Sequence, residues 1–153
     1  MKLQEAAAKL SREQIIEHAR RIMQTLHRPY VMATVSVEGK PHVRWMGAFV
    51  FEEPFTIYME TYRGSRKVDD LEENPNAELL LNTEDFSQQL LVSGCATMED
   101  SPQIRQEVWD SIADSRDYFA GVDDPNFVVI KFTAQQVELY LERNQRSPYV
   151  TML

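Results

Sequence analysis

Little in this sequence marks it as belonging to any of the commonest site classes. It has one cysteine, Cys95, so no disulfide framework can form within the chain. Cys95 lies in the run Leu90–Ala96, which predicts a buried structural thiol. Three histidines, His18, His27 and His42, show no metal-ligand spacing with one another or with Cys95. Five glycines form neither a G-x-G-x-x-G nor a G-x-x-x-x-G-K-[ST] pattern, which excludes the Rossmann and P-loop signatures. No G-x-S-x-G elbow occurs either. The longest apolar run, Trp45–Phe51, is far too short to span a membrane. The first ten residues carry Glu5 and Lys9 without an apolar signal region, so the expected location is the cytoplasm. Positive charge is scarce as well. Sixteen Lys and Arg stand against twenty-four Asp and Glu, a net charge of −8. Such a surface repels nucleic acid and anionic lipid, but a local basic cluster can still hold a small anion.

What is present suits a single domain over residues 1–153, large enough to bury one core without disulfides or metal. Apolar and charged fractions of 43% and 26% are ordinary for a globular protein. Apolar residues at helical spacing (Ile15, Ile16, Ala19, Ile22, Met23, Leu26) predict a helix over about 11–27. Ser11 and Gln14 form its capping box and Pro29 ends it. From Tyr30 the period becomes two. Strands are predicted at 30–37, 42–51, 55–61, 77–82, 88–98, 127–133 and 137–141, with turns at Glu38-Gly39-Lys40 and Glu53-Pro54. A short helix is predicted over 65–73, and a second begins at Ser101-Pro102 and fades near Gly121. The tail 143–153 is polar and uninformative. Tight turns between consecutive strands require antiparallel pairing. The class is therefore α+β, and the apolar strand 42–51 suggests a small closed or half-closed barrel spanning about 30–141.

One segment breaks a local rule. Gly64-Ser65-Arg66-Lys67 opens a helix with two cations, where the helix dipole favours acids. Either both side chains point into water, or free backbone N–H groups and two cations form an oxyanion cradle. Arg44, on a strand face with Met46, Ala48 and Val50, must reach the rim or pair with an anion, because an unpaired buried guanidinium is costly. A phosphate would serve Arg44, Arg66 and Lys67 together. The acidic pairs Asp69-Asp70 and Asp123-Asp124 read as solvated surfaces.

The order of these elements resembles the FMN-binding pattern of the pyridoxamine 5'-phosphate oxidase-like split barrels, and is most similar to the general stress protein 26-like branch. The resemblance is carried by Arg44-Trp45-Met46-Gly47-Ala48-Phe49, Thr61, Ser65-Arg66-Lys67, Asn74-Pro75, and Gln89 five residues before Gly94. It covers about Tyr30–Leu141 and implies an antiparallel six-stranded split β-barrel of Greek-key type with flanking helices. It further implies FMN as cofactor. Arg44, Arg66 and Lys67 would hold its phosphate, with Thr61 and Ser65 beside the phosphate and ribityl chain. The backbone from Trp45 through Met46 and Gly47 to Phe49 would run along the ring, and Gln89 would act across the interface of a homodimer whose subunits share the flavin sites. Phe49 stands where the true oxidases have a lysine for the substrate phosphate, and their substrate-binding tyrosine, arginine and Arg-x-His end have no match. The resemblance thus implies an FMN-dependent oxidoreductase of unknown substrate. A non-catalytic FMN-binding or sensor protein, or a split barrel using deazaflavin or haem, are the alternatives.

Overall fold

The computed structural model describes residues 9–25 and 29–153, so the predicted end of the first helix, with Leu26 and His27, lies outside the described residues. The elements are α1 (Arg12–Thr25), β1 (Tyr30–Val35), β2 (Pro41–Met46), β3 (Val50–Glu52), β4 (Thr56–Tyr62), α2 (Arg66–Glu73), β5 (Asn76–Asn82), β6 (Gln89–Glu99), α3 (Pro102–Ser111), α4 (Ser115–Tyr118), β7 (Phe127–Tyr140) and β8 (Tyr149–Met152). All strands belong to one antiparallel sheet in the order β2-β1-β5-β6-β7-β4-β3, with β8 also on β7.

The expected six-stranded barrel is therefore an eight-stranded sheet that is not closed by hydrogen bonds. The predicted strand 42–51 is in fact two strands. β2 pairs with β1 at one end of the sheet, β3 pairs with β4 at the other, and Gly47–Phe49 carry the chain between them. The sheet must curl for three residues to join its two ends. An apolar run without alternation gives no sign of where such a strand breaks.

The strands predicted at 127–133 and 137–141 are one strand with a bulge. Gly94 faces Ala134 and Ser93 faces Gln136, leaving Gln135 as the extra residue. The bulge changes the phase of burial, so that Ile130, Phe132 and Ala134 face the same core as Val137 and Leu139. That change of phase disguises one strand as two. A side chain at Gly94 would meet the Thr133 carbonyl oxygen at 2.1 Å, so the bulge requires glycine.

The inner face of the curl is the main core, built from Tyr30, Met32, Ile57, Met59, Leu79, Leu81, Leu90 and Val92 together with Ile15, Ala19, Ile22 and Met23 of α1. α1 enters through the expected capping box: the Ser11 backbone N–H donates to Gln14 Oε1 at 2.8 Å, and the Gln14 N–H to Ser11 Oγ at 3.1 Å. A second core lies on the other face of β4 and β7, where Tyr58, Phe127 and Val129 meet Val108, Ile112 and Phe119. The predicted helix from Ser101 is accordingly two short helices, broken at Ile112 so that both can cover this face.

The tail, uninformative as sequence, supplies the last strand. β8 pairs with β7 and Leu153 packs on the main core. Cys95 is half-buried rather than enclosed, on the face opposite Val92 and Ala96, within reach of Gln135 and Asn76.

Candidate functional site

The curl leaves a seam. β3 pairs with β4 only as far as Tyr58, so beyond that residue β4 has β7 on one side and no paired strand on the other. Small residues Gly47 and Ala48 cross this gap. A cleft of about 360 Å³ opens there, walled by Trp45–Ala48, Glu60–Tyr62 and Lys67, and by Ile112, Asp114, Tyr118 and Phe119 from α3, α4 and their surroundings. Such a volume is in the range of small-molecule sites.

β4 supplies the cleft from both of its faces, because successive side chains alternate. Thr61 points to the main-core face of the sheet, with Ile57 and Met59, and is 6% exposed. Lys67 Nζ donates to Thr61 Oγ1 at 2.8 Å, and that oxygen lies 3.2 Å from the Oγ of Ser65, the residue just before α2. Among the described residues Lys67 and Arg66 form no ion pair. Burial, and next the charge of Arg44, push the Lys67 ammonium below its ordinary value. Burial also lowers Arg44 below its ordinary value, Asp70 opposes this, and Arg66 adds to the lowering. Arg44 on β2 is thus coupled to both cations that open α2, with Asp70 offsetting part of its charge, a setting in which an anion is favoured near the helix start.

Glu60 and Tyr62 point to the opposite side of β4. Glu60 accepts a hydrogen bond from the buried Ser115 hydroxyl. Burial raises its pKa, the Ser115 bond opposes this, and Asp114 adds to the rise. Tyr62 meets Tyr118 edge-on at 6.5 Å, and with Trp45 these aromatics remain exposed along the cleft.

Of the residues singled out from the sequence, Trp45, Met46, Gly47, Thr61 and Lys67 line the cleft, and Ser65 is bonded to Thr61. Arg66 is exposed beside them. Phe49 turns away, meeting Tyr30 edge-on at 5.1 Å against the main core. Gln89 begins β6 at a separate hollow of about 170 Å³ with Tyr140, Arg143 and Gln145, and the single chain does not bring it to the cleft.

Arg44 does pair with an anion, but an internal one. Its Nη1 donates to Thr34 Oγ1 at 2.7 Å and to the carbonyls of His42 and Met32 at 3.2 and 3.3 Å. Its Nη2 is buried without a hydrogen bond, 3.6 Å from Asp70 Oδ2. Asp70, expected on a solvated surface, is 5% exposed and corrects that reading, whereas Asp69 is exposed. The sequence signals for this network were His42 and Arg44 two apart on one strand face, and Asp70 one helical turn after Arg66 and Lys67.

No group of three or more His, Cys, Asp or Glu able to hold a metal ion occurs among the described residues. No helix among them is long and apolar enough to cross a membrane.

The fold is thus an eight-stranded antiparallel sheet, curled but not closed, with flanking helices and a small-molecule-sized cleft at its open seam. The chain belongs to the pyridoxamine 5'-phosphate oxidase family, which it matches over residues 16–141. It is 31% identical over 125 residues to General stress protein 26 of Bacillus subtilis, covering 80% of this chain and 85% of that protein. The crystal structure of General stress protein 26 from Bacillus anthracis is 29% identical, with a TM-score of 0.75 over 91% of this chain and 98% of that one. Two more distant structures share the fold. A pyridoxamine 5'-phosphate oxidase-related, FMN-binding protein from Nostoc punctiforme has a TM-score of 0.62 at 22% identity, over 95% of this chain and 98% of its own. A heme-binding protein from Mycobacterium smegmatis has 0.74 at 16%, over 94% and 60%.

Proposed function

We propose that this chain is a cytoplasmic FMN-binding flavoprotein, an FMN-dependent oxidoreductase that works as a homodimer. The observation that carries the reading is the pair Arg66 and Lys67 at the start of α2, without ion-pair partners among the described residues and with Arg44 behind them on β2, beside a cofactor-sized cleft. Lys67, Arg66, Ser65 and Thr61 would hold the phosphate, with Arg44 adding charge from behind. Trp45–Ala48 and the aromatics Tyr62 and Tyr118 would flank the ring. Bound FMN supplies electron and hydride transfer through its own ring. The chain's residues anchor it, exclude water with Phe119 and Ile112, and place the Glu60 carboxyl at the cleft wall.

The same fold carries heme in a relative. Here the described residues offer the cleft no histidine, and His42 is committed to Asp70 at 2.7 Å, which favours the phosphate-bearing cofactor. Phe49, packed on Tyr30, cannot meet a substrate phosphate, so a vitamin phosphate is not the expected substrate.

The dimer is supported by the outer sheet face. Register places Trp45, Val31, Leu80, Leu91, Glu138 and Val150 in one row, and Val43, Ala33, Glu78, Ser93, Gln136 and Met152 in the next. Val43, Trp45, Val150 and Met152 are at least half exposed. A second copy is the occupant that would bury both rows through one self-complementary surface.

The test is anaerobic addition of NADH or NADPH to the FMN-loaded protein, followed by an electron acceptor. Bleaching and recovery over repeated cycles is the expected result. A flavin that binds but never bleaches with either donor marks a binding or sensor protein instead.

A further inference from the structure

The phosphate reading accounts for one side of β4 and leaves the other side of the same cleft without a role. Glu60 and Tyr62 project from the strand face opposite Thr61, and with Tyr118 and Phe119 they form a second wall. This wall is acidic. Glu60 is half-buried, Asp114 stands beside it in the lining, and among the described residues no cation pairs with either. Arg63 and Arg116, which follow Tyr62 and Ser115 in the chain, are committed elsewhere. Arg63 donates to the Pro125 carbonyl at 2.6 Å, and Arg116 donates to the Trp109 carbonyl at 3.2 Å with its guanidinium over the Trp109 ring.

The Glu60 carboxylate is nevertheless held in one place. The fully buried Ser115 hydroxyl donates to its Oε2, and because Ser115 begins α4, the bond ties that helix to β4. It occupies Oε2 alone, and no hydrogen bond among the described residues reaches Oε1. A half-buried carboxylate without a cation is costly, and the cost falls once a charged donor in the cleft reaches its free oxygen. The rings beside it point the same way. Tyr62 and Tyr118 are 47% and 61% exposed, and neither lies in the outer-face rows that a second copy would cover. Aromatic faces attract flat molecules and positive charge.

We propose that this second wall binds the molecule on which the flavin would act, and that it selects a flat aromatic cation bearing N–H donors. Glu60 accepts the N–H groups and offsets the charge, while Tyr62 and Tyr118 meet the ring. This rests on the FMN reading, which places the phosphate at Lys67 and Thr61 and leaves the acidic wall to a second molecule. Rings that flank the flavin also flank a flat molecule laid against it. An anionic substrate is disfavoured by Glu60 and Asp114 alike.

The probes are benzamidine, benzamide and benzoate, flat molecules of nearly one shape that are cationic, neutral and anionic. Each is titrated into FMN-loaded protein, with binding read from the change in flavin absorbance. The proteins are wild type, Glu60→Gln, Tyr118→Ala and Glu13→Gln, the last altering an exposed acid on α1. Gln at position 60 still accepts from Ser115 and removes only the charge. Wild type should bind benzamidine about tenfold or more tightly than benzoate, and Glu60→Gln should lose about tenfold for benzamidine. Benzamide should change by no more than about twofold in Glu60→Gln. Tyr118→Ala should weaken benzamidine and benzamide by about threefold each, and Glu13→Gln should change neither. Benzamidine binding that Glu60→Gln leaves intact, or that Glu13→Gln weakens as much, overturns the proposal. Benzoate bound as tightly as benzamidine by wild type overturns it even if Glu60→Gln fails to fold. A loss of FMN affinity in Glu60→Gln would assign the carboxylate to the cofactor and overturn it too. A wild type that takes up no FMN would instead overturn the phosphate reading beneath, and the flavin absorbance of the loaded sample tells the two failures apart.

Discussion

Replacing Lys67 by Met keeps the apolar stem and removes the charge together with its hydrogen bond to Thr61, so it separates the fold from the ligand. In the chain alone, the ammonium is partly desolvated, has Thr61 Oγ1 as its hydrogen-bond partner at 2.8 Å, and is repelled by Arg44. Its removal should leave apoprotein stability unchanged or slightly higher. With FMN the balance reverses. A hydrogen bond to a charged group contributes about 1.5–3 kcal/mol, so the variant should bind FMN roughly 10- to 150-fold more weakly. Riboflavin has no phosphate and should bind both proteins within about twofold of each other. Flavin fluorescence titration gives the affinities, and thermal melting of the apoprotein gives the stability. Equal losses for both flavins would refute the reasoning by placing Lys67 beside the ring or in the fold. A large drop in apoprotein melting temperature would also refute it, because it would mean that the cation is already satisfied without an anion.

Gly94→Ala should cost about 1–3 kcal/mol by overpacking the bulge against the Thr133 carbonyl, measured by urea unfolding; no loss would mean that the bulge relaxes freely. Asp70→Asn should destabilise by about 1–3 kcal/mol at pH 7. The Asp70 pKa is depressed in the fold, so its contribution is present above the ordinary carboxylate range and is lost as pH falls through the folded value. The gap between wild type and variant should therefore close in acid, and a gap that widens would contradict the buried pairing. Trp45→Glu together with Met152→Glu, which place charge at opposite edges of the outer sheet face, should convert the proposed dimer to monomer in light scattering. A monomeric wild type at concentrations well above micromolar would remove the dimer altogether.

The elements of this fold were largely legible because their periods are clean. The helix at Ile15–Met23 shows its buried face at helical spacing, and the strands around Met32 and Leu79 alternate. Continuity was harder to read. Trp45–Phe51 is apolar throughout, so its break at Gly47–Phe49 left no trace, and the bulge at Gln135 imitated an interruption in β7. The cation cluster was visible because it breaks a helix rule at Arg66 and Lys67. Its acidic counterpart was not, since Asp70 beside Asp69 looks like any solvated pair until β1 and β2 bring Thr34 and His42 onto it. Glu60 and Tyr62 were passed over although they flank Thr61. Which faces of β4 meet a cleft depends on where β3 stops pairing, and that is set by tertiary structure alone. Gln89 lies at its own hollow, away from the cleft within the chain.

The claim that the seam at Lys67 and Thr61 holds a phosphate-bearing flavin is tested most directly by the cofactor itself. The purified protein's visible spectrum should show oxidised flavin, and mass spectrometry of the molecule released on denaturation should give the mass of FMN, at about one per chain. Release of heme or of a deazaflavin, or a protein that stays colourless and takes up no FMN when it is supplied in excess, would contradict the account.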